Sequence, residues 1–243
     1  MVHRFYYPQA DLSQEQLILN DPKEIHHLKN VLRLKSGSPV DIFNGRGREA
    51  SGRIQSLGTS EVVILIEHTR TQPTEGPAVI LACAIPKKAK FESIIEKAAE
   101  LGVETIIPLL TQRTEVRLTG PKATQKLIRY QTVAVNAAKQ CKRATVPAIY
   151  PVTLYKNLWP IARPGMAVLI GCLAEPRRPI SEALKNLSSP SEIMLVIGPE
   201  GDLTENEIRM AIDAGAIPIS MGSTILKVDT AALAGLSAIR FLR

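Results

Sequence analysis

Aromatic residues are scarce. Phe, Tyr and Trp make up 4% of the chain, with a single Trp. A broad base-stacking platform for single-stranded nucleic acid is therefore not expected. Long apolar runs are missing too. The longest, "AVILACAI" (Ala78 to Ile85), falls far short of the roughly 20 residues that span a bilayer. The segment "MVHRFYYPQ" holds no apolar signal core, so a cytoplasmic protein is expected. The three cysteines, Cys83, Cys141 and Cys172, are scattered and outside any CxxC pattern. That suits a reducing compartment and buried thiols, with a nucleophile as the weaker alternative because no histidine is near in sequence. The four histidines, His3, His26, His27 and His68, give no zinc-ligand spacing with them, so no metal is expected. Neither the phosphate loop GxxxxGKS/T nor the dinucleotide fingerprint GxGxxG occurs.

What is present is enough to build a core. Apolar residues form 45% of 243, a length that fits one large domain or two small ones. The net charge of +7 is concentrated. Between positions 113 and 143 lie Arg113, Arg117, Lys122, Lys126, Arg129, Lys139, Lys142 and Arg143, against the single acid Glu115. Eight minus one is +7, so the rest of the chain sums to zero. Such clustering is the footprint of a polyanion partner, RNA or DNA, with a solvated helix face as the plainer reading.

The chain changes character near residue 70. Before it lie short β segments. "PVDIFNGRGREASGRI" carries an Asn44-Gly45 hairpin signal, and "EVVILIEH" (Glu61 to His68) reads as a strand. The pattern predicts a small β-rich barrel or sheet. "TRTQPTEGPA" (Thr69 to Ala78) reads as a linker. Beyond it, apolar runs alternate with helical spacing. Strands are predicted at 78–85, 105–110, 167–173, 192–198 and 217–222. Helices are predicted at 90–102, 121–142, from Thr204 with a Thr204/Glu207 capping box, and at 229–242. This is the pattern of a mostly parallel sheet covered on both faces. In such sheets ligands sit beyond the carboxyl ends of strands. Three predicted strands end in glycine-bearing loops: "LIGCLAEPRR", "VIGPEGD" and "SMGSTILKVDT". Together they point to a small-molecule pocket read by backbone groups.

"IGPEGDLTENEI" followed by "MGSTILKVDTAAL" closely resembles the C-terminal signature of the RsmE family, the 16S ribosomal RNA uracil-N3 methyltransferases of the SPOUT class. "HRFYY", "HHLKNVLRLKSG" and "FNGRGREASGRI" resemble that family's N-terminal RNA-binding, PUA-like barrel. "EKAAELGVETIIPLLTQRTEV" and "NAAKQCKRATVPAI" resemble its middle section, so ordered motifs cover nearly the whole chain. The resemblance implies a PUA-like β-barrel at 1–72 and an α/β SPOUT domain at 73–243 with a deep C-terminal trefoil knot. It also implies S-adenosylmethionine as methyl donor, a homodimer, and 16S rRNA in the small ribosomal subunit as substrate.

By position, the implied cofactor-binding residues are Leu169, Gly171, Ile197, Gly198, Pro199, Glu200, Gly201, Met221, Gly222, Ile225, Leu226 and Thr230. N3 of uracil carries a proton, so the site needs a base and a charge stabiliser. Candidates are Asp229 as base, with helix N-cap as its alternative, and Lys227 as stabiliser. Arg113, Arg143 and Gln140 are candidates for contact with phosphate or the flipped base. Lys29, Arg33 and Lys35 are RNA-contact candidates in the first domain. Arg117, Lys122, Lys126, Arg129, Lys142 and Arg143 are candidates in the basic stretch. His26 and His27, being adjacent, face different ways and receive no catalytic role.

The chain departs from the family pattern in several places. Asp202 stands where a second glycine is usual, Thr224 and Lys227 where arginine is, Asp229 for Glu, and Lys139 for Glu. Two other functions stay open: a SPOUT methyltransferase for a ribose 2′-OH or another base, and a non-catalytic rRNA-binding assembly factor.

Overall fold

The computed structural model describes residues 2–73, 76–87 and 90–242. By packing, the chain divides into two compact units. One comprises Met1–Thr74 with Ala138–Val146, the other Glu75–Ala137 with Pro147–Arg243.

In the first unit, alternating residues build a five-stranded sheet from β1 (His3–Tyr6), β2 (Gln16–Leu19), β3 (Pro39–Phe43), β4 (Arg48–Leu57) and β5 (Val62–Thr71). The order is β1-β3-β4-β5-β2. The predicted hairpin joins β3 to antiparallel β4. Asn44 closes it, its Oδ1 accepting from the Arg46 and Arg48 amides at 2.8 and 3.2 Å. Gly45 sits at φ 76°, and a Cβ there would meet Tyr6 Cε2 at 2.7 Å, so the Asn-Gly pair answers both a turn and a packing demand. Helix α1 (Pro22–His26) begins at Asp21, whose carboxylate accepts from the Lys23 and Glu24 amides. The next turn, His27–Val31, widens to π geometry. His26 is exposed and hydrogen-bonded to Asn30, whereas His27 packs edge-on to Phe5. Phe5, Leu12, Leu19, Leu28, Ile42, Ile54 and Ile64 form the core. Residues 138–146 join this unit through Ala138 and Ala144, which pack on Phe43. The expected linker is shorter than its composition suggests: β5 runs to Thr71, and Thr74 and Glu75 lie outside the described residues.

The second unit is an eight-stranded sheet of β6 (Ala78–Ala84), β7 (Thr105–Leu110), β8 (Ala148–Ile149), β9 (Thr153–Leu154), β10 (Met166–Gly171), β11 (Arg178–Pro179), β12 (Glu192–Ile197) and β13 (Ile217–Ser220). The order is β11-β13-β10-β12-β6-β7-β8, with β9 also on β7, and these pairings are parallel. Register places Val168, Met194 and Ile80 in one row and Ile170, Val196, Ala82 and Ile107 in the next. Those rows pack under Leu203, Ile208 and Ala211. The opposite face is covered by α6 (Val228–Phe241), which approaches closely because Gly235 has no Cβ; one there would meet Leu195 Cδ2 at 2.6 Å. Burial on both faces explains the unbroken apolar runs.

The other helices are α2 (Lys90–Glu100), α3 (Gly120–Gln140), α4 (Ile180–Lys185) and α5 (Glu205–Asp213). The capping box is formed in full: the Thr204 amide donates to Glu207 Oε2 at 2.9 Å, and the Glu207 amide to Thr204 Oγ1 at 3.3 Å. The last helix starts earlier than its sequence suggests. Lys227 is the N-cap residue and Asp229 lies in the first turn, which corrects the N-cap reading of Asp229. Among the described residues, no helix is long and apolar enough to cross a membrane, and no cluster of His, Cys, Asp or Glu could hold a metal.

Candidate active-site cleft

Strands β13, β10 and β12 are neighbours, so their three carboxyl-end loops converge. They enclose a solvent-open cleft with about 590 Å³ of empty space. Gly171, Ile197, Gly198, Pro199, Glu200, Met221, Gly222, Ile225 and Leu226 line it. Leu169, Gly201 and Thr230 do not: Leu169 is wholly buried within β10. Sequence reasoning missed Cys172, Leu173, Arg177, Asp202, Thr224 and Val228, which also line the cleft. All six sit in the glycine-bearing segments, but nothing in their residue type marks them.

The loop after β12 has a definite internal logic. Gly198 is tightly packed: a Cβ there would lie 3.0 Å from Leu203 Cγ and 3.3 Å from its amide. Gly201 is not: its nearest neighbour would be Arg113 Cδ at 3.6 Å, an ordinary contact. The left-handed backbone falls instead on Asp202, at φ 59°, whose amide closes the turn onto the Pro199 carbonyl at 2.9 Å. Arg113 ties down the far end, donating from Nη1 to the carbonyls of Gly201 (2.7 Å) and Leu203 (3.4 Å). Glu200 Oε1 accepts from the Lys87 amide at 3.2 Å.

Lys227 is exposed, with no described ion pair. Asp229 is half-buried, 3.7 Å from Lys90 Nζ. Cys172 and Cys83 are buried. Burial, and then the Asp202 carboxylate, pushes the Cys172 thiol up. Burial, then Glu200 and Asp229, raises Cys83 strongly. Both remain protonated thiols, unsuited to nucleophilic work. Gln140 ends α3 exposed, among residues that pack with the first unit.

The basic stretch is less free than its linear count. Arg129 Nε and Lys126 Nζ share Glu92 Oε1 at 2.7 and 3.5 Å. Lys139 pairs with Glu24. Glu92 and Glu24 lie outside the stretch in sequence and reach it only in the fold. Arg117 and Lys122 are exposed, with no ion pair among the described residues. Lys142 stands at φ 61°, and the carbonyls of Lys142 and Arg143 accept from Arg4 at 3.1 and 3.0 Å. Arg143 Nε itself donates to Thr145. In the first unit, Lys29 is half-buried and donates to the Gly58 carbonyl at 2.8 Å, while Arg33 and Lys35 are exposed.

Comparison with known proteins gives this geometry a context. Residues 74–240 match the model of an RNA methyltransferase domain, and residues 19–67 that of an RNA methyltransferase PUA domain. The chain is 34% identical over 223 residues to the ribosomal RNA small subunit methyltransferase E of Synechocystis, covering 90% of this chain and 71% of that one. It is 30% identical to the same enzyme of Bacillus subtilis, covering 90% and 88%. The crystal structure of the Neisseria gonorrhoeae ribosomal RNA small subunit methyltransferase E bound to S-adenosyl methionine superposes with a TM-score of 0.87 at 28% identity, covering 100% of this chain and 98% of that one. The chain belongs to the ribosomal RNA small subunit methyltransferase E family.

Proposed function

We propose that this protein uses S-adenosylmethionine to methylate N3 of a uridine in 16S rRNA, in the assembled or nearly assembled small ribosomal subunit. Residues 1–72 act in this reading as a PUA-like RNA-binding barrel and 73–243 as the SPOUT methyltransferase domain. The chain works in the cytoplasm as a homodimer, with the three loops drawn through a trefoil knot. The observation that carries the proposal is the cleft of a family member: three adjacent parallel strands end in loops that present backbone and apolar atoms around one space.

The cleft fits the cofactor. Gly171 and Gly198 keep side chains out of its walls, and Ile197, Met221, Ile225 and Leu226 supply an apolar lining. Glu200 adds negative charge suited to a cationic ligand. S-adenosylmethionine supplies an electrophilic methyl group on a sulfonium. The chain's own residues do the rest. The N3 lone pair of uracil becomes available as its proton leaves, and Asp229 is the acceptor we assign. Lys227 is the stabiliser we assign for the charge that develops on the O2/N3/O4 edge; as an ammonium it is a point donor rather than a fork. Arg113 positions the Pro199–Asp202 turn. The uridine must be unpaired or flipped to expose N3. Arg117, Lys122, Lys126 and Arg129 attract the phosphate backbone, as do Lys29, Arg33, Lys35, Lys142 and Arg143.

Nucleoside mass spectrometry tests the proposal, after incubation with S-adenosylmethionine and unmodified small subunits. Appearance of 3-methyluridine is the expected result. Another methylated nucleoside would overturn the base assignment. Subunit binding without methylation would point to the assembly factor.

A further inference from the structure

One peptide unit in the cleft wall is held at both ends. The carbonyl of Cys172 accepts from Arg177 Nη1 at 3.0 Å. The amide of Leu173, the other half of that peptide, donates to Asp202 Oδ2 at 3.0 Å. Arg177 is itself fixed, with Nε on Glu175 Oε1 at 3.0 Å. Asp202 is fixed by the turn it closes onto Pro199. The Cys172–Leu173 peptide follows β10, whereas Asp202 follows β12, so the carboxylate joins two of the three loops. Cys172, Leu173, Arg177 and Asp202 all line the cleft.

The bond is made at some cost. Asp202 occupies the left-handed region at φ 59°, where a glycine would sit without strain and where, among ordinary residues, Asp and Asn are the best tolerated. A residue kept in a glycine's conformation for its side chain is a candidate for function. The amide it holds would otherwise be free to turn toward water or a ligand. Clamped at both ends, the peptide presents one fixed edge to the cleft before any ligand arrives, which lowers the ordering cost of binding.

We infer that Asp202 and Arg177 are positioning residues that preorganise the Cys172–Leu173 peptide as a wall of the cofactor cleft, Asp202 by latching the β10 loop to the β12 loop. The inference rests on the proposed use of S-adenosylmethionine. A structural brace alone would stabilise the fold without favouring the ligand. A positioning latch separates the two quantities, because removing it also relieves backbone strain.

The test compares wild type, Asp202→Gly and Asp202→Asn by calorimetric titration with S-adenosylmethionine, thermal melting, and amide hydrogen exchange without ligand. Asp202→Gly should weaken binding about tenfold, the scale of a hydrogen bond to a charged group. Its melting temperature should stay the same or rise, and exchange at Leu173 should quicken. Asp202→Asn keeps an oxygen acceptor and tolerates the backbone, so it should recover most of the affinity and slow Leu173 again. Unchanged affinity in Asp202→Gly, or unchanged Leu173 exchange, overturns the latch. So does Asp202→Asn binding as weakly as Asp202→Gly, because that would make charge rather than the bond the cause. A wild type that binds no S-adenosylmethionine overturns the proposed function and with it the cofactor role, whereas Leu173 exchange still reports whether the bond exists.

Discussion

The "GPEGD" loop and the basic stretch from Arg113 to Arg143 both stand out in the sequence, and the fold treats them differently. The loop acquires meaning by convergence. Its strand, β12, lies beside β10, and β10 beside β13, so three separate glycine-bearing segments become one cleft. The basic stretch loses part of its meaning in the fold. Glu92 and Glu24, remote in sequence, neutralise Lys126, Arg129 and Lys139 in part. Backbone-shaped sites are fixed by local conformation and strand order, whereas a charge count is only as good as the counter-ions the fold brings up.

The largest effect that would break this contrast lies at the proposed base. Asp229→Asn should lower methyl transfer about 10²- to 10⁴-fold, the usual contribution of a proton acceptor, with S-adenosylmethionine affinity preserved. Stopped assays and titration calorimetry read the two separately. Next comes the loop. Gly198→Val places side-chain atoms against Leu203 and should cost about 1–3 kcal/mol of stability, as overpacking does. Gly201→Ala meets only ordinary contacts and should stay within about 0.5 kcal/mol. Denaturant melts of the pair show whether only the first of the two glycines is sterically required.

On the basic side, salt titration of RNA binding should separate free from paired cations. Neutralising Arg117 or Lys122 should each reduce the log–log slope by up to about 0.9. Lys126→Gln and Arg129→Gln should reduce it less, because Glu92 already offsets them. Equal changes at all four would contradict the pairing. The smallest effect is a matter of pH. Tyr130 is buried, and burial, reinforced by Glu92, pushes its hydroxyl up to about 12. An unfolded tyrosine ionises near 10, so the contribution of Tyr130 is intact below that pH and is lost as pH rises from about 10 to 12. Alkaline melts of Tyr130→Phe should show a shallower fall than wild type over that window.

Much of the fold was legible because its signals are local or periodic. The Asn44-Gly45 turn, the Thr204/Glu207 capping box and the buried runs of β6, β7, β10 and β12 all stand where the sequence places them. Short elements were not legible. Helix α4 has six residues and follows "EPRRP", and β8, β9 and β11 are two-residue strands defined only by their neighbours. The return of residues 138–146 to the first unit depends on Ala138 and Ala144 meeting Phe43, a contact no periodicity announces. The glycines marked the loops that line the cleft. The side chains that brace them did not show, because Arg113 and Asp202 act on backbone atoms of residues distant in sequence, and Arg177 on a carbonyl within its own loop. Resemblance named Asp202 only as a departure; its φ and its bond to Leu173 give it a role.

Amide hydrogen exchange with and without S-adenosylmethionine tests the central claim most directly, because it asks where the ligand sits rather than whether turnover occurs. Slowed exchange confined to residues 171–173, 197–203 and 221–228 is the predicted result. Binding that leaves those loops unprotected, or protects another part of the chain instead, would contradict the account.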